Sequence, residues 1–170
     1  MIAIVSFGSN LGDREANIDQ AVCAIRALPS VQSVRCAPLY ETDPVGPPQP
    51  PYLNSAATVT LSVDMEPRAL VRDLLSIESA MGRQRVDGER NAPRKIDIDV
   101  LWIEGKTSDF PDAIVPHPRL TERPFALVPL LDLAPDCHDP QGVPYREHLA
   151  RIGRVGIRRV WAHREPPTGR

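Results

Sequence analysis

The stretch Arg94-Lys95-Ile96-Asp97-Ile98-Asp99-Val100-Leu101-Trp102 alternates apolar and acidic residues over its central five positions. This two-residue period is typical of a β-strand, so Asp97 and Asp99 should point from one face, with Cα atoms about 6.6 Å apart. Two close carboxylates repel unless a counter-charge joins them, and the simplest counter-charge is a divalent cation. Oxygen ligands of this kind select Mg²⁺ or Ca²⁺ over zinc. The alternative is a solvated strand face on which the carboxylates pair with Arg94 or Lys95.

An arginine-rich loop precedes this strand and runs over residues 82–93 without an apolar period. The arginines on this loop or at its end are Arg83, Arg85, Arg90 and Arg94. A guanidinium group binds phosphate oxygens through paired hydrogen bonds and keeps its charge at any working pH. Arginines beside paired aspartates therefore fit a metal-bound polyphosphate. A solvated loop that pairs internally with Asp87 and Glu89 is the alternative.

Other side chains that could bind a ligand lie outside this region. His117 stands between two prolines, where it could either donate to a phosphate or cap the loop. Arg123 and Phe125 place a cation and an aromatic ring on one segment. Tyr52 and Asn54 lie two residues apart on a predicted strand, and a ring beside a carboxamide suits a flat heterocycle. An exposed pair at a sheet edge is the alternative for these two.

Residues before the aspartate strand predict the order strand, helix, strand, strand, helix. The predicted strands cover residues 2–7, 31–40 and 52–63, and the predicted helices begin after Asp13 and at Pro67. With the aspartate strand added, this order predicts an α+β domain with a ferredoxin-like antiparallel sheet and helices packed on it. Helices over 125–133 and 145–152 and a strand over 155–161 are predicted as C-terminal additions. We expect a single domain over residues 1–163 and a flexible tail over 164–170.

Five prolines fall within residues 44–51. This segment is interpreted as a stiff loop between strands, and a polyproline ligand for a partner domain is the alternative.

Composition excludes several classes of protein. The 170 residues carry a formal charge of -2, so we expect neither nucleic-acid nor membrane-surface binding. The cysteines are three and scattered, as in reduced cytosolic proteins. No run approaches the roughly 18 apolar residues of a membrane span, and the start does not resemble a signal peptide, so the cytoplasm is expected. Three other classes of protein compete with a phosphate-transferring enzyme as the interpretation of this sequence. They are a metal-dependent phosphohydrolase, a nucleic-acid-binding module and a small-molecule regulatory domain.

Several longer stretches follow one another in a specific order. They are FGSNLGD at 7–13, YETDPVGP at 40–47, YLN at 52–54, ESAMGRQR at 78–85, NAPRKIDIDVL at 91–101 and VPHPRLTERPF at 115–125. Together they resemble the 6-hydroxymethyl-7,8-dihydropterin pyrophosphokinase family over about residues 2–150. Each stretch alone is weak, whereas the combination is highly specific.

The resemblance implies an enzyme of folate biosynthesis that transfers the diphosphate of ATP to the pterin hydroxymethyl group and releases AMP. It implies a metal site for two Mg²⁺ ions at Asp97 and Asp99, and a monomer is expected. The implied catalytic residues are these two aspartates with Arg83, Arg85 and Arg94. The implied ATP-binding residues are Glu78, Arg83, Arg85, Arg94, His117 and Arg123. The implied pterin-binding residues are Thr42, Val45, Tyr52, Asn54 and Phe125.

The resemblance also implies that residues 83–93 form a lid over both substrates. Two positions depart from the pattern of some members of the family. Asn91 stands where those members carry a tryptophan, and Pro118 stands where they carry an aromatic residue. These departures concern how the lid is held and how the nucleotide is contacted.

Overall fold

The structure, a computed structural model, describes residues 1–44, 48–62, 64–82 and 93–161, with the backbone alone at residue 161. The described residues form eight strands and four helices. The strands are β1 (Ile2–Ser9), β2 (Val31–Cys36), β3 (Leu39–Thr42), β4 (Tyr52–Leu61), β5 (Asp97–Ile103), β6 (Ser108–Phe110), β7 (Ala113–Val115) and β8 (Ile157–Trp161). The helices are α1 (Arg14–Arg26), α2 (Pro67–Ala80), α3 (Pro124–Leu133) and α4 (Tyr145–Ile152).

Six strands form one antiparallel sheet in the order β5-β1-β4-β3-β8, and β2 also pairs with β4. Strand β1 is therefore central and lies between β4 and β5. Its Gly8 stands opposite both Asn54 and Asp97, and its Ser6 stands opposite Asp99. This register brings the YLN and IDID stretches, more than 40 positions apart in sequence, onto neighbouring rows of the sheet.

The predicted helices at α1 and α2 are confirmed. The Asp13 side chain accepts a hydrogen bond from the Ala16 amide at 3.0 Å, which satisfies a free N–H at the start of α1. Helix α2 begins at Pro67, a position where the missing N–H costs nothing. Both helices bury an apolar stripe against the sheet.

Two hydrophobic cores lie on opposite faces of the sheet. Ile4 and Val5 are neighbours on β1, so they point to opposite faces. Val5 belongs to the core under α1 and α2, which also holds Ile18 and Leu74. Ile4 belongs to the core under α3 and α4, which also holds the wholly buried Tyr145. Helices α3 and α4 thus cover the face of the sheet opposite to α1 and α2.

The single strand predicted over residues 31–40 is wrong in detail, because the structure has two strands there, β2 and β3. They pair with successive parts of β4 and are separated at Ala37 and Pro38. Proline has no N–H to give to a strand ladder, so the pairing stops and restarts. The hairpin of β6 and β7 was not predicted, since each strand is only three residues long.

Strand β5 contains an irregularity beyond its aspartates. The pairing with β1 shifts between Ile4 and Val5, so that Leu101 has no partner of its own in the register. Val100 packs in the first core and Leu101 in the second, while Trp102 also packs against the second. An extra residue of this kind is a β-bulge, which reorients the side chains that follow it.

Among the described residues, no helix is both long enough and apolar enough to cross a membrane.

Candidate active site

A cleft of about 800 Å³, counted with the solvent at its mouth, opens at one end of the sheet on the face that α3 covers. Many of the residues predicted for ligand binding lie on its wall. The described residues that line it are Ser6, Phe7, Gly8, Thr42, Asp43, Tyr52, Asn54, Arg94, Asp97, Asp99, Leu101, Arg123, Phe125 and Ala126. The structure therefore brings together eight of the predicted site residues from β3, β4, β5 and α3 and from the segments just before β5 and α3.

Gly8 forms the floor of the cleft between the two halves of the site. A Cβ atom at this position would lie 3.4 Å from Asn54 Oδ1 and 3.9 Å from Asp97 Cβ. Any side chain would therefore fill the space between the amide and the carboxylate. The sequence interpretation assigned Gly8 no role, although a glycine inside a strand is a known sign of close approach by a ligand.

The two aspartates face the cleft, each beside an arginine. Arg94 Nη1 lies 2.9 Å from Asp97 Oδ2, and Arg123 Nη1 lies 3.9 Å from Asp99 Oδ2. Among the residues that the structure describes, no group of three or more His, Cys, Asp or Glu side chains could hold a metal ion. Two carboxylates still fit Mg²⁺, which commonly takes one or two carboxylates and completes its shell with water and substrate phosphates.

His117 lies beside Arg123 with a neutral ring. Burial, followed by the charges of Arg123 and Arg119, lowers the pKa of His117 to about 4. Its Nδ1 accepts a hydrogen bond from the Arg119 amide at 3.1 Å, so the proton of the neutral ring sits on Nε2. Nε2 lies 3.3 Å from Arg123 Nη1. Because both groups then carry hydrogens, this contact is not a hydrogen bond, and each group can donate to an anion such as a phosphate oxygen.

The opposite wall of the cleft is aromatic and polar. Asn54 Nδ2 donates to Thr42 Oγ1 at 2.7 Å, and both side chains are buried. This bond fixes the amide so that Asn54 Oδ1 lies on the side of Gly8. Tyr52 and Phe125 both line the cleft, and the Arg123 guanidinium lies 5.8 Å from the Phe125 ring centre, in the range of a cation–π contact. The wall can bind a flat ring that carries hydrogen-bonding edges.

Glu78 does not line the cleft. Only 1% of it is exposed, and its Oε1 accepts a hydrogen bond from the Ile98 amide at 2.6 Å. This contact anchors α2 to the strand between the two aspartates. The predicted contact of Glu78 with a nucleotide stays a prediction.

Three other predicted site residues, Val45, Arg83 and Arg85, lie outside the described residues, as do Asn91 and most of the predicted lid.

A second groove of about 850 Å³ lies between α2, β5 and the β6–β7 hairpin. Its wall is about half apolar and half polar, and it includes Leu74, Ile98 and Ile114, together with His117. Asp99 lines this groove as well as the first cleft. Asp99 therefore stands where the two cavities meet, and Asp97 lies on the wall of the first cleft. Sequence reasoning did not find this groove, because its walls come from elements that do not share a motif.

Comparison with known proteins identifies the family. The family model described as 7,8-dihydro-6-hydroxymethylpterin-pyrophosphokinase (HPPK) matches residues 4–135. The chain belongs to the HPPK family. The recognition made from the sequence motifs is thus confirmed, and the chain is an enzyme of folate biosynthesis that transfers pyrophosphate.

Curated HPPK relatives match over most of the chain. The 2-amino-4-hydroxy-6-hydroxymethyldihydropteridine pyrophosphokinase of Pseudomonas aeruginosa is 38% identical over 157 residues, which are 92% of this chain and 94% of that protein. The enzyme of the same name from Synechocystis is 36% identical over 94% of this chain and 78% of that protein. The mitochondrial folate synthesis bifunctional protein of Pisum sativum is 42% identical over 76% of this chain and 24% of that protein.

Solved structures share the HPPK fold. A HPPK-DHPS protein in complex with substrates superposes with a TM-score of 0.64 at 14% identity, over 88% of this chain and 43% of that one. The HPPK-DHPS of Plasmodium falciparum gives 0.63 at 15% identity, over 93% of this chain and 48% of that one. The chain thus spans less than half of these solved chains, and at such identity the likeness concerns the fold alone. The mixed α/β architecture with an antiparallel sheet agrees with it.

Proposed function

We propose that the chain transfers the diphosphate of ATP to the hydroxymethyl oxygen of 6-hydroxymethyl-7,8-dihydropterin and releases AMP, with the pterin in the first cleft and the nucleoside in the second groove. The observation that carries this assignment is that Asp99 lines both cavities. A transfer between two bound substrates needs their reacting groups to meet at one place in an in-line arrangement. Asp99 marks that place.

The pterin site would use the row of residues across the sheet. Asn54, Gly8 and Asp97 stand opposite one another on β4, β1 and β5, so their Cα atoms span about 10 Å. Tyr52 and Phe125 would hold the ring, with Thr42 and Asn54 at its polar edge. The hydroxymethyl group would then extend over Gly8 towards Asp97.

The nucleoside site would use the second groove, under the β6–β7 hairpin. Leu74, Ile98 and Ile114 supply apolar contacts for a base, and the groove ends at Asp99 and His117. The phosphates would then lie between His117 and Arg123 on one side and Arg94 on the other. His117 Nε2–H and the two guanidinium groups would donate to the phosphate oxygens, where they neutralise the charge that develops on transfer.

Asp97 and Asp99 would hold two Mg²⁺ ions. When bound, Mg²⁺ would neutralise phosphate charge and lower the pKa of the attacking hydroxyl. The carboxylates fix where the ions sit, and Gly8 keeps the path between pterin and aspartates open. Arg83, Arg85 and Glu78 would complete the nucleotide contacts, and Val45 the pterin contacts, as the family resemblance implies.

The proposal also covers the fold type, the extent of the domain, the oligomeric state and the location in the cell. The sheet order is β5-β1-β4-β3, and β2 also pairs with β4. This order supports a ferredoxin-like core, to which α3, α4 and β8 are additions. We propose one domain over residues 1–163 that works as a monomer in the cytoplasm.

The test is AMP release on mixing the protein with ATP, Mg²⁺ and 6-hydroxymethyl-7,8-dihydropterin. AMP that forms only when the pterin is present supports the transfer. Hydrolysis of ATP at the same rate without pterin would instead assign a metal-dependent phosphohydrolase, the rival that shares the aspartates and arginines.

A further inference from the structure

One buried amide connects the two sides of the first cleft. Asn10 follows directly after β1, and only 2% of it is exposed. Its backbone N–H donates to the Arg94 carbonyl at 3.1 Å, and its Oδ1 accepts from the Arg94 amide at 2.8 Å. Its Nδ2 donates to Gln49 Oε1 at 2.9 Å and to the Pro50 carbonyl at 3.3 Å. Both ends of the side chain are thus engaged, each by a different segment.

Each of these segments leads directly into one half of the site. Arg94 pairs with Asp97 at 2.9 Å, on the side assigned to phosphate and metal. Gln49 Oε1 accepts from the Tyr52 hydroxyl at 3.4 Å, on the side assigned to the pterin. A chain of contacts therefore runs from the pterin-side aromatic ring through Gln49 and Asn10 to the phosphate-side arginine.

We propose that Asn10 is a positioning residue that sets the separation between the bound pterin and the phosphate-binding arginine Arg94. The proposal rests on the assigned reaction, because it concerns the geometry of that same site. Asn10 lines neither cavity, so it acts through Arg94 and Gln49 rather than by touching a substrate.

The chemistry of the position favours asparagine. The Arg94 amide needs an acceptor, whereas Gln49 Oε1 and the Pro50 carbonyl need donors, and a carboxamide offers both on one short side chain. Aspartate at position 10 would keep the acceptor for the Arg94 amide. Its second carboxylate oxygen would face Gln49 Oε1 and the Pro50 carbonyl, and it could not donate to either. Alanine would remove all three side-chain bonds and leave buried groups without partners.

Asn17, on helix α1, provides a matched control. Asn17 is a buried carboxamide with 4% exposure, and its Nδ2 donates to Ser9 Oγ at 3.2 Å and to the Leu11 carbonyl at 2.8 Å. Among the described residues it shares no hydrogen bond with Gln49, Pro50 or Arg94, so Asn17→Ala tests the loss of a buried amide without the proposed link.

The first measurement is steady-state kinetics of Asn10→Asp and Asn17→Ala, with ATP binding measured separately by calorimetry. A shift of reacting groups by about 1 Å can reduce rates by about 100-fold. We therefore expect kcat/KM for the pterin to fall by roughly 10- to 100-fold in Asn10→Asp, with ATP affinity within about threefold of the wild type and little kinetic change in Asn17→Ala. An equal kinetic loss in both variants, or wild-type kinetics in Asn10→Asp, would overturn the proposal.

A second measurement is independent of turnover. The Arg94 amide should exchange with deuterium faster in Asn10→Ala than in the wild type, and at the wild-type rate in Asn17→Ala. If Asn10→Ala does not fold, Gln49→Ala, at a partly exposed position, tests the same link from its other end. In a double-mutant cycle, Asn10→Asp with Gln49→Ala should be no worse than Asn10→Asp alone, because both break one chain of contacts. Effects that multiply would contradict a shared link.

Failure of the inference is distinguishable from failure of the assigned reaction. If the wild-type protein releases AMP only with pterin, the reaction stands whatever the Asn10 variants show. If the wild-type protein does not, the positioning role falls together with the assigned reaction.

Discussion

Among single residues, Asp99 is expected to have the largest effect on activity, because it stands where the two cavities meet. We expect Asp99→Asn to reduce kcat by about 10³-fold or more, since it removes a negative charge that would hold the Mg²⁺ ions. The unfolding free energy should change by less than about 1 kcal/mol, because the contact between Asp99 and Arg123 is long, 3.9 Å, and partly exposed to solvent. Steady-state rates and urea unfolding check both statements. Activity near that of the wild type would remove the metal assignment.

Gly8→Ala tests the open floor of the cleft. The new methyl group would lie 3.4 Å from Asn54 Oδ1, which is close contact without severe overlap, so the sheet should still form. It would occupy space that the pterin needs, and we expect KM for the pterin to rise by about 10-fold, as when a pocket loses the volume of one methyl group. KM for ATP should not change. An unchanged KM for the pterin would place the ring elsewhere.

His117 should make the protein sensitive to mild acid. Its folded pKa of about 4 lies below the unfolded value of 6.5, so the unfolded state takes up a proton first as the pH falls. The stability that His117 contributes is complete above pH 6.5 and is lost between pH 6.5 and 4, by up to about 3 kcal/mol. Urea unfolding at pH 7, 5.5 and 4 should show this loss for the wild type and a smaller one for His117→Gln. Equal losses would contradict the neutral buried ring.

Local patterns found some site residues and missed others. The two-residue period of one strand predicted Asp97 and Asp99 as metal ligands, whereas the spacing of Tyr52 and Asn54 left an exposed pair open and the family resemblance made them candidate pterin contacts. The roles of Gly8 and of residues such as Asn10 arise from contacts across strands, and no local pattern carries the register between distant strands.

Among the elements, the contact between α2 and β5 deserves a direct test. The Glu78 carboxylate accepts from the buried Ile98 amide at 2.6 Å. Glu78→Ala leaves that N–H without its acceptor and should cost about 1.5–3 kcal/mol of unfolding free energy, while Glu78→Gln keeps an oxygen there and should cost less. Activity should fall with stability in the alanine variant, because Ile98 lies between the two aspartates. If both variants are equally stable, the bond does not hold the strand.

Element order was more predictable than element ends. Apolar stripes at helical spacing identified α1 and α2, with a capping aspartate for α1, while a buried apolar run identified β1 and alternation identified β4 and β5. The split at Pro38 and the three-residue strands of the β6–β7 hairpin depend on which partner strand lies beside them. A hairpin this short carries too few residues to show a period.

At the scale of the whole molecule, the two cores should unfold together. They lie on opposite faces of one sheet and share its strands, so neither can be lost while the sheet that supports the other stays intact. Far-UV circular dichroism and, in a Trp161→Phe variant, the fluorescence of Trp102 at the second core should give one coincident transition in urea. Separate midpoints would show that α3 and α4 form an independently stable layer.

The bulge in β5 has a consequence for how such a chain can diverge. Before Leu101, the aspartates keep register with Gly8 and Ser6, and after it the side chains resume on shifted faces. Trp102 and Ile103 are therefore separated from the two aspartates by an interruption in the hydrogen-bonded pairing of β5 with β1. Substitutions that change the packing of Trp102 or Ile103 need not move the aspartates. A lineage can exchange its core residues there while the geometry of the reaction is inherited unchanged.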